Sequence, residues 1–276
     1  MKKLTVITVC YNEPNLEETC KSIIGQTWQD FEWIVIDGGS NEETQKIWEK
    51  YKFRINKFIS EPDTGRYNAM NKGIRLSSGE YLNFLNAGDS YFYNNVLKDV
   101  FANNMYSGDV LYGYQFLKNN KSSKFNIQFV PKEVAKDFLF ESTLPHQASF
   151  IKKELFEKYG FYNENYKVVS DYEYWFRLLD HIKFVYLPYI VTTFDTGGIS
   201  SNKKGHKIST LERLDVINKY FDITELNTLN ETNCEYETSS FLEQIFSIKN
   251  NKSGTLKIIT FLGMHIKLQR LKNKKV

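Results

Sequence analysis

The sequence predicts an α/β fold with a doubly wound sheet, and three observations support this prediction. Short β-branched apolar runs alternate with amphipathic helical patterns through the first hundred residues, which is the arrangement of parallel strands joined by helices. Several of these runs stop abruptly at small and acidic residues, as at Asp37 and Asp89. The chain has 276 residues, of which 41% are hydrophobic and 25% charged, and these amounts suit one large globular domain with an appendage.

The elements of the first hundred residues follow from the spacing of apolar side chains. Residues 4–10 combine Val, Ile and Thr in a short run, which predicts a buried strand. Leu16 and Cys20 then share one face of a helix. Ser40 with Glu43 predicts a capping box at the start of the second helix. The other elements predicted here are strands over residues 31–36, 54–60 and 81–85, and helices around residues 47–51 and from residue 67 onward.

The remaining sequence predicts antiparallel strands and then a helical tail. Strands are expected over residues 109–116, 125–130, 182–187 and 189–194, with helices over residues 152–159 and 172–180.

From about Gly205 the pattern becomes helical, so we expect a main domain over residues 1–204 and a helical extension over residues 205–276. Near the end of the chain, apolar residues recur at helical spacing among lysines. A basic amphipathic helix of this kind can lie on an anionic membrane surface, or it can pack on the domain or on a dimer partner. The apolar positions are Phe261, Met264, Leu268 and Leu271.

Charge and cysteine content restrict the classes of function. The net charge of +3 is too small to indicate nucleic-acid binding. Cys10, Cys20 and Cys234 have no metal-ligand spacing and form an odd set, which predicts a reducing compartment. No apolar run approaches the length of a membrane-spanning helix. We therefore expect a cytoplasmic protein, and leave open that it works at the inner face of the cell membrane.

Three aspartates stand at or just beyond predicted strand ends. They are Asp37, Asp63 and Asp89. The carboxyl ends of parallel strands meet at one edge of the sheet, where open α/β sheets hold their ligands. Each aspartate alone is better explained as a turn or helix cap, but three at one edge favour a nucleotide site with a divalent metal.

Seven stretches of the sequence, among them residues 5–13 (TVITVCYNE) and 31–40 (FEWIVIDGGS), together resemble the family 2 nucleotide-sugar glycosyltransferases of the GT-A fold. Residues 61–74 (EPDTGRYNAMNKGI) are similar to the branch that builds capsule, exopolysaccharide and lipopolysaccharide sugars. The resemblance covers roughly the first two hundred residues. The other stretches are residues 22–27 (SIIGQT), 146–147 (HQ), 170–171 (SD) and 194–198 (FDTGG).

The resemblance implies a nucleotide-sugar donor held with Mn²⁺ or Mg²⁺. The stretch Asn86-Ala87-Gly88-Asp89 stands at the family's DxD element, with Asn86 in place of the first carboxylate. Asp89 is therefore the expected metal ligand, and both residues are expected to contact the donor. The metal would neutralise charge that develops on the departing nucleotide.

The resemblance also implies which residues frame the nucleotide. Family members commonly have a second aspartate where this chain has Gly38, and that aspartate contacts uracil. Asp37 is expected to substitute for it, unless the nucleotide is not UDP, so a UDP-sugar is favoured and a GDP-sugar is left open. Arg66 could pair with phosphate or be an exposed residue at a helix start. The residues expected to contact the nucleotide sugar are Thr8, Tyr11, Glu13, Asp37, Asp63, Arg66, Asn86 and Asp89.

Asp171 is the expected general base. It matches the second position of the family's Glu-Asp motif, with Ser170 in place of Glu. An inverting transfer needs a carboxylate that removes the proton of the acceptor hydroxyl on the face opposite the leaving group. Glu173 is the competing base, and the alternative for Asp171 is a helix N-terminal acid. His146 and Gln147 are expected near the donor or acceptor sugar, although a lone histidine is as often structural.

These observations predict a metal-dependent, inverting glycosyltransferase. Its acceptor is expected to be a saccharide or a lipid-linked precursor in bacterial-type surface polysaccharide synthesis. Homo-oligomerisation is left open, and no nucleic-acid partner is expected. The alternatives are a sugar nucleotidyltransferase, which usually has a glycine- and basic-rich phosphate loop that residues 11–14 (YNEP) lack, and a non-catalytic module that binds nucleotide sugars.

Overall fold

A nine-stranded mixed sheet flanked by helices forms the main part of the protein. The computed structural model describes residues 2–103, 105–118, 126–196, 203–221, 246–250, 256–261 and 264–269. The described strands of this sheet are β1 (Leu4–Cys10), β2 (Phe31–Asp37), β3 (Lys57–Ser60), β4 (Tyr81–Phe84), β5 (Ser90–Tyr91), β6 (Val110–Lys118), β7 (Asn126–Gln128), β8 (Ser149–Lys152) and β9 (Phe184–Asp195).

Eight α-helices and a short 3₁₀ turn accompany these strands in the described part of the chain. The 3₁₀ turn covers His146–Ala148, directly before β8. The helices are α1 (Leu16–Ile24), α2 (Glu42–Tyr51), α3 (Arg66–Leu76), α4 (Val96–Phe101), α5 (Lys136–Glu141), α6 (Lys153–Tyr159), α7 (Ser170–Leu178) and α8 (Lys203–Tyr220).

The strand order is β3-β2-β1-β4-β8-β6-β9-β5, and β7 pairs with β6. The first four strands are parallel, because β1 pairs in parallel with both β2 and β4, and β2 with β3. Their side chains are buried on both faces along β1, β2 and β4, as expected for parallel strands covered by helices. The register aligns Cys10 with Asp37 and Asp37 with Ser60. The carboxyl ends of these strands therefore lie side by side.

The predicted α/β fold is confirmed, and two local predictions in this sheet are wrong. The N-cap of α2 is Asn41, whose side chain accepts from Thr44 N, whereas the Ser40 hydroxyl accepts from the backbone of Asn12. The two strands expected over residues 182–194 are one strand, β9, which pairs with β6 across a register irregularity. Pro188 lies at an exposed point of β9, where its missing N–H breaks no ladder hydrogen bond.

The end of the chain differs from the predicted helical extension. Helix α8 agrees with it, but three strands follow: β10 (Phe246–Asn250), β11 (Leu256–Phe261) and β12 (Met264–Gln269), paired as one antiparallel sheet. The expected basic amphipathic helix is therefore wrong at Phe261, Met264 and Leu268, while Leu271 lies outside the described residues. The physical reason is a period of two from residue 264 to 269 (MHIKLQ), which a strand satisfies and a helix does not.

The chain divides into two compact units, residues 1–212 and residues 213–276, and the boundary between them lies inside α8. The predicted boundary after residue 204 stays a prediction. Within the described residues, none of the helices is both long enough and apolar enough to cross a membrane.

Candidate active site

The carboxyl ends of the parallel strands bring distant residues together at one edge of the sheet. Strand β4 ends at Phe84, and the segment Asn86 to Asp89 turns across this edge before β5. Gly88 has a φ of 96°, a backbone conformation that glycine adopts without a steric penalty. A Cβ on Gly88 would lie 3.2 Å from Cδ of Glu13, so the loop after β1 packs directly on this segment.

Asp89 is the most strongly perturbed carboxyl group at this edge. It is 4% exposed, and its Oδ2 accepts a 3.1 Å hydrogen bond from Gln147 Nε2. Burial raises the pKa of Asp89 to about 8, and the nearby carboxylates of Asp195 and Glu13 raise it further. Burial, together with Asp195, also raises the pKa of Glu13. Burial and the two neighbouring carboxylates thus disfavour the ionised form of Asp89.

Asp171 lies at the first turn of α7, with both carboxyl oxygens hydrogen-bonded. Oδ1 accepts from the Tyr67 hydroxyl at 2.7 Å, and Oδ2 lies 2.7 Å from His146 Nδ1. Burial opposes ionisation of this carboxyl, but His146 and the hydrogen bond from Tyr67 outweigh it and lower the pKa of Asp171. The carboxylate is therefore ionised at neutral pH while its side chain remains 14% exposed.

His146 and Gln147 connect the two acidic groups. His146 Nε2 lies 3.1 Å from Asn86 Nδ2, and Gln147 donates to Asp89. Two successive residues of one 3₁₀ turn thus contact Asp171 and the segment that carries Asp89. Acidic residues from separate segments are therefore linked through this turn, and the expectation that they share one cleft stays a prediction.

The other side of the edge is formed by the loops after β1, β2 and β3. Asp37 is fully buried, and its Oδ2 accepts from Ser40 N, Gln45 Nε2 and Ser60 Oγ. Burial raises the pKa of a carboxyl group such as this one, but these three donors outweigh it and lower the pKa. Its Oδ1 is buried and has no hydrogen-bond partner.

Gly38 explains how the neighbouring loops fit together. A Cβ at Gly38 would lie 2.8 Å from Asp63 Oδ2 and 3.3 Å from the Tyr11 ring. The Asp63 carboxylate therefore occupies the space that a side chain at residue 38 would fill. The Tyr11 ring is 68% exposed beside it. An exposed aromatic ring next to a carboxylate is a suitable surface for a nucleotide base. Arg66, at the start of α3, is half-buried.

Two residues expected at the site do not reach it. Thr8 is fully buried in β1, and its hydroxyl accepts a 3.0 Å hydrogen bond from the Trp33 indole. Glu173 is 1% exposed and forms a 2.8 Å ion pair with Arg177. Both side chains are buried and bonded to other side chains of the protein, so we assign them a role in packing and do not include them in the proposed site.

Three residues that contact the site were not among the predicted site residues. Tyr67 donates to Asp171 from 104 positions away. The Asp195 backbone N–H donates to Asp89 Oδ1 at 3.3 Å, and Asn15 Nδ2 donates to the Asp195 carboxylate at 3.0 Å. The only sequence signal was that Tyr67 and Asp195 lie within stretches that resemble the family. The contacts depend on tertiary proximity that no local pattern encodes.

Metal ligands are few at this edge. Across the described ranges, no group of three or more His, Cys, Asp or Glu residues could hold a metal ion. A metal at Asp89 would thus take most of its ligands from substrate oxygens and water, as Mg²⁺ commonly does. An open depression of ≈ 520 Å³ lies elsewhere, lined by residues that include Asp109, Tyr159 and His181, and it contains no predicted site residue.

Solved structures with similar folds include TarS of S. aureus and a mannosyltransferase. Staphylococcus aureus TarS superposes with a TM-score of 0.59 at 19% identity, covering 87% of this chain and 44% of that chain. A shorter form, TarS 1–349 in complex with UDP-GlcNAc, gives a TM-score of 0.58 at 17% identity over 83% of this chain and 70% of that chain. The mannosyltransferase PcManGT of Pyrobaculum calidifontis, in complex with GDP-Man and Mn²⁺, gives 0.53 at 16% identity over 87% and 66%.

Relatives by sequence carry the same kind of name. An uncharacterized glycosyltransferase of Mycobacterium tuberculosis H37Rv is 29% identical over 204 residues, 73% of this chain and 78% of the relative. A PGL/p-HBAD biosynthesis glycosyltransferase of Mycobacterium bovis BCG is 30% identical over 188 residues, 66% of this chain and 72% of the relative.

The mixed sheet flanked by helices is a GT-A glycosyltransferase fold. The model of the family described as Glycosyl transferase family 2 matches residues 5–160, more than half of the chain. The chain belongs to this family and is a glycosyltransferase. Its assignment to a capsule, exopolysaccharide or lipopolysaccharide branch stays a prediction.

Proposed function

We propose that this protein transfers a sugar, with inversion, from a nucleotide-sugar donor to an acceptor hydroxyl in a metal-dependent reaction. The observation that carries the proposal is the 3₁₀ turn at His146 and Gln147, which contacts Asp171 on one side and Asp89 on the other. One ionised carboxylate and one buried carboxyl group with a raised pKa are thereby held at the same edge of the sheet. Family 2 membership supports glycosyl transfer at this edge.

The donor nucleotide would lie across the loops after β1, β2 and β3. Tyr11 offers an exposed ring, and Asp63 offers Oδ2 beside it. A carboxylate oxygen accepts from the imide N–H of uracil, and guanine also presents such a donor. The fold neighbours TarS, in complex with UDP-GlcNAc, and PcManGT, in complex with GDP-Man, support a donor of this class. We favour a UDP-sugar and keep a GDP-sugar as the alternative.

The residues at Asp89 fit a divalent metal. The carboxyl group of Asp89 is buried beside Glu13 and Asp195, and burial together with these two carboxylates raises its pKa to about 8, so a bound cation would stabilise its ionised form. Oxygen ligands of this type suit Mn²⁺ and Mg²⁺. When bound, the ion would neutralise charge on the donor diphosphate. Asp89 would hold it, and Glu13 and Asp195 would add negative charge around it.

Asp171 would act as the base for the incoming acceptor. Its ionised oxygen takes the proton of the acceptor hydroxyl while the acceptor oxygen forms a bond to the anomeric carbon of the donor. The bond from that carbon to the diphosphate oxygen breaks, and the nucleoside diphosphate leaves with the electron pair. Attack opposite to the leaving group inverts the anomeric configuration.

The acceptor would be a saccharide or a lipid-linked precursor of a surface polysaccharide. Support comes from a relative named for PGL/p-HBAD biosynthesis, a description that applies to that protein. Membrane contact was expected from a basic amphipathic helix, but β11 and β12 are found at those residues instead. We therefore do not propose that the protein binds a membrane through this segment.

A donor panel with a base variant tests this function. UDP- and GDP-sugars, each with Mn²⁺, Mg²⁺ or EDTA, are screened for an increase in Tm, since a ligand of the folded state stabilises it by mass action. Asp171→Asn should keep the donor-induced increase in Tm and lower kcat at least 100-fold, and NMR of the wild-type product should show the inverted anomer.

The outcomes separate the alternatives. Release of pyrophosphate from a nucleoside triphosphate and a sugar phosphate would indicate a nucleotidyltransferase. A donor-induced Tm increase without wild-type turnover on any saccharide acceptor would indicate a binding module. Retained transfer by Asp171→Asn would contradict the role of Asp171.

A further inference from the structure

His146 lies between the proposed base and the segment proposed to hold the donor. Its side chain is only 8% exposed. Nδ1 lies 2.7 Å from Asp171 Oδ2, and Nε2 lies 3.1 Å from Asn86 Nδ2. The ring is thus held on both nitrogens, by partners that are 85 residues apart in the sequence (Asn86 and Asp171).

The chemistry of the two partners determines which nitrogen carries the proton. An ionised carboxylate only accepts hydrogen bonds, so His146 Nδ1 must be the donor to Asp171. The Asn86 amide nitrogen only donates, so Nε2 must offer its lone pair. The hydrogen bond made by one ring nitrogen fixes the tautomer at the other. Asn86 therefore selects the imidazole form whose N–H is directed at Asp171.

We propose that His146 is a positioning residue: held by Asn86 at Nε2, it donates from Nδ1 to Asp171 and keeps that carboxylate ionised and oriented for the acceptor hydroxyl. This inference rests on the proposed function, because it concerns the base of that reaction. The proposal also assigns a role to Asn86, which is to keep Nε2 of His146 unprotonated. A carboxylate at residue 86 would demand a proton on Nε2 and would convert the ring to the doubly protonated, charged form.

The two phenols that face Asp171 keep their charge near neutral pH. Besides His146, the titratable side chains that face Asp171 are the phenols of Tyr67, on α3, and Tyr162, between α6 and α7. Burial raises the pKa of both phenols well above their ordinary value, so neither changes charge in the working range. Tyr67 holds Oδ1 and His146 holds Oδ2.

Two substitutions distinguish the contact made by Nδ1 of His146 from the contact made by Nε2. The amide nitrogen of asparagine can replace Nδ1 as a donor to Asp171, and the amide oxygen of glutamine can replace Nε2 as an acceptor from Asn86. His146→Asn keeps a donor near Asp171 and gives up the contact with Asn86, whereas His146→Gln does the reverse. His206→Gln, at an exposed position of α8, is the control for removing a histidine.

The pH dependence of kcat at saturating donor is the first readout. For His146→Gln we expect the acidic limb to move upward by about one to two pH units, because Asp171 loses one hydrogen bond to its charged form. For His146→Asn the limb should stay within about half a unit of the wild type. A uniform loss of kcat at every pH in His146→Gln, or identical profiles for the two variants, would overturn the proposal.

Histidine ¹⁵N NMR of the full chain tests the same contacts without activity. The wild type should show His146, identified among four histidines by its absence in His146→Gln, as neutral and protonated at Nδ1. Asp171→Asn should weaken the Nδ1–H signal, and Asn86→Asp should protonate both nitrogens. If no donor is turned over by the wild type, the proposed function fails and this spectrum alone decides: an Nε2-protonated His146 would overturn the positioning role.

Discussion

Buried carboxyl groups in this protein differ in charge because they have different partners. Asp171 and Asp37 receive several hydrogen bonds, which lower their pKa values despite burial. Asp89 also receives two hydrogen bonds, but it faces two other carboxylates, and burial raises its pKa to about 8. At the scale of single residues, the site thus contains one carboxylate prepared to accept a proton and one that favours a cation.

Glu32 shows the same physics at a structural position. It is buried on β2 and accepts from Thr5 Oγ1 and Ser78 N, with Lys57 3.2 Å away. Although burial raises the pKa of Glu32, these partners outweigh it and lower the pKa below 4.5. A lowered pKa contributes stability that is present above the unfolded value and lost as pH falls through the folded value.

We therefore expect Glu32→Gln to lower the free energy of unfolding by about 1–3 kcal/mol at neutral pH. The difference from the wild type should narrow as pH falls below about 4.5. Urea unfolding across a pH series measures this, and the exposed Glu43→Gln is the control. A difference that stays constant down to pH ~3 would show that the charge of Glu32 is not what stabilises the fold.

At the scale of elements, α8 supports the start of the helix that carries Asp171. Glu212 on α8 accepts from three successive backbone N–H groups, those of residues 167, 168 and 169. The Tyr67 hydroxyl oxygen lies 2.7 Å from both the Val168 carbonyl oxygen and Asp171 Oδ1. Unpaired N–H groups at the start of a helix favour an anion, and Glu212 supplies it. The first turn of α7 is thereby held by α3 and α8 together.

Glu212→Ala should therefore reduce both stability and turnover. Loss of a charged acceptor for these N–H groups is expected to lower the free energy of unfolding by about 2 kcal/mol, and kcat should fall because Asp171 is less well positioned. Chemical denaturation and steady-state kinetics provide the two measurements, with the exposed Glu157→Gln on α6 as the control. Normal kcat in a destabilised Glu212→Ala would show that α8 supports folding only.

At the scale of the whole molecule, the parallel order of β3, β2, β1 and β4 places the ends of all four strands at one edge. The antiparallel addition of β8 then brings His146 and Gln147 to the same edge, directly before that strand. This assembly gathers negative charge at Asp89 at a cost in stability. Proteins commonly accept such a cost where function requires it.

Asp89→Asn should expose this cost. Removing a buried carboxylate that faces Glu13 and Asp195 is expected to keep or raise the Tm of the ligand-free protein by a few degrees (~2–4 °C), while kcat falls about 100- to 1,000-fold. The Mn²⁺-dependent increase in Tm with donor should disappear. Asp109→Asn, which removes the partner of Lys152, is the control that should retain it, and a retained metal effect in Asp89→Asn would place the ion elsewhere.

The sequence was sufficient for features that depend on neighbours along the chain. Period-two and period-3.6 patterns gave the early strands and helices, and acidic residues at strand ends gave the edge where Asp37, Asp63 and Asp89 lie. The same reasoning failed near residues 256–269, where a weak helical pattern competed with alternation and the strands prevailed.

Only the tertiary structure decided which of these residues meet and in what state. Thr8 and Glu173 had suitable chemistry, but in the folded protein Thr8 accepts a hydrogen bond from Trp33 and Glu173 forms an ion pair with Arg177. Sequence spacing cannot reveal that His146 and Tyr67 both hold Asp171, since a hydrogen bond depends on distance in space. The charge of a buried carboxyl group is likewise fixed by the donors that folding brings to it.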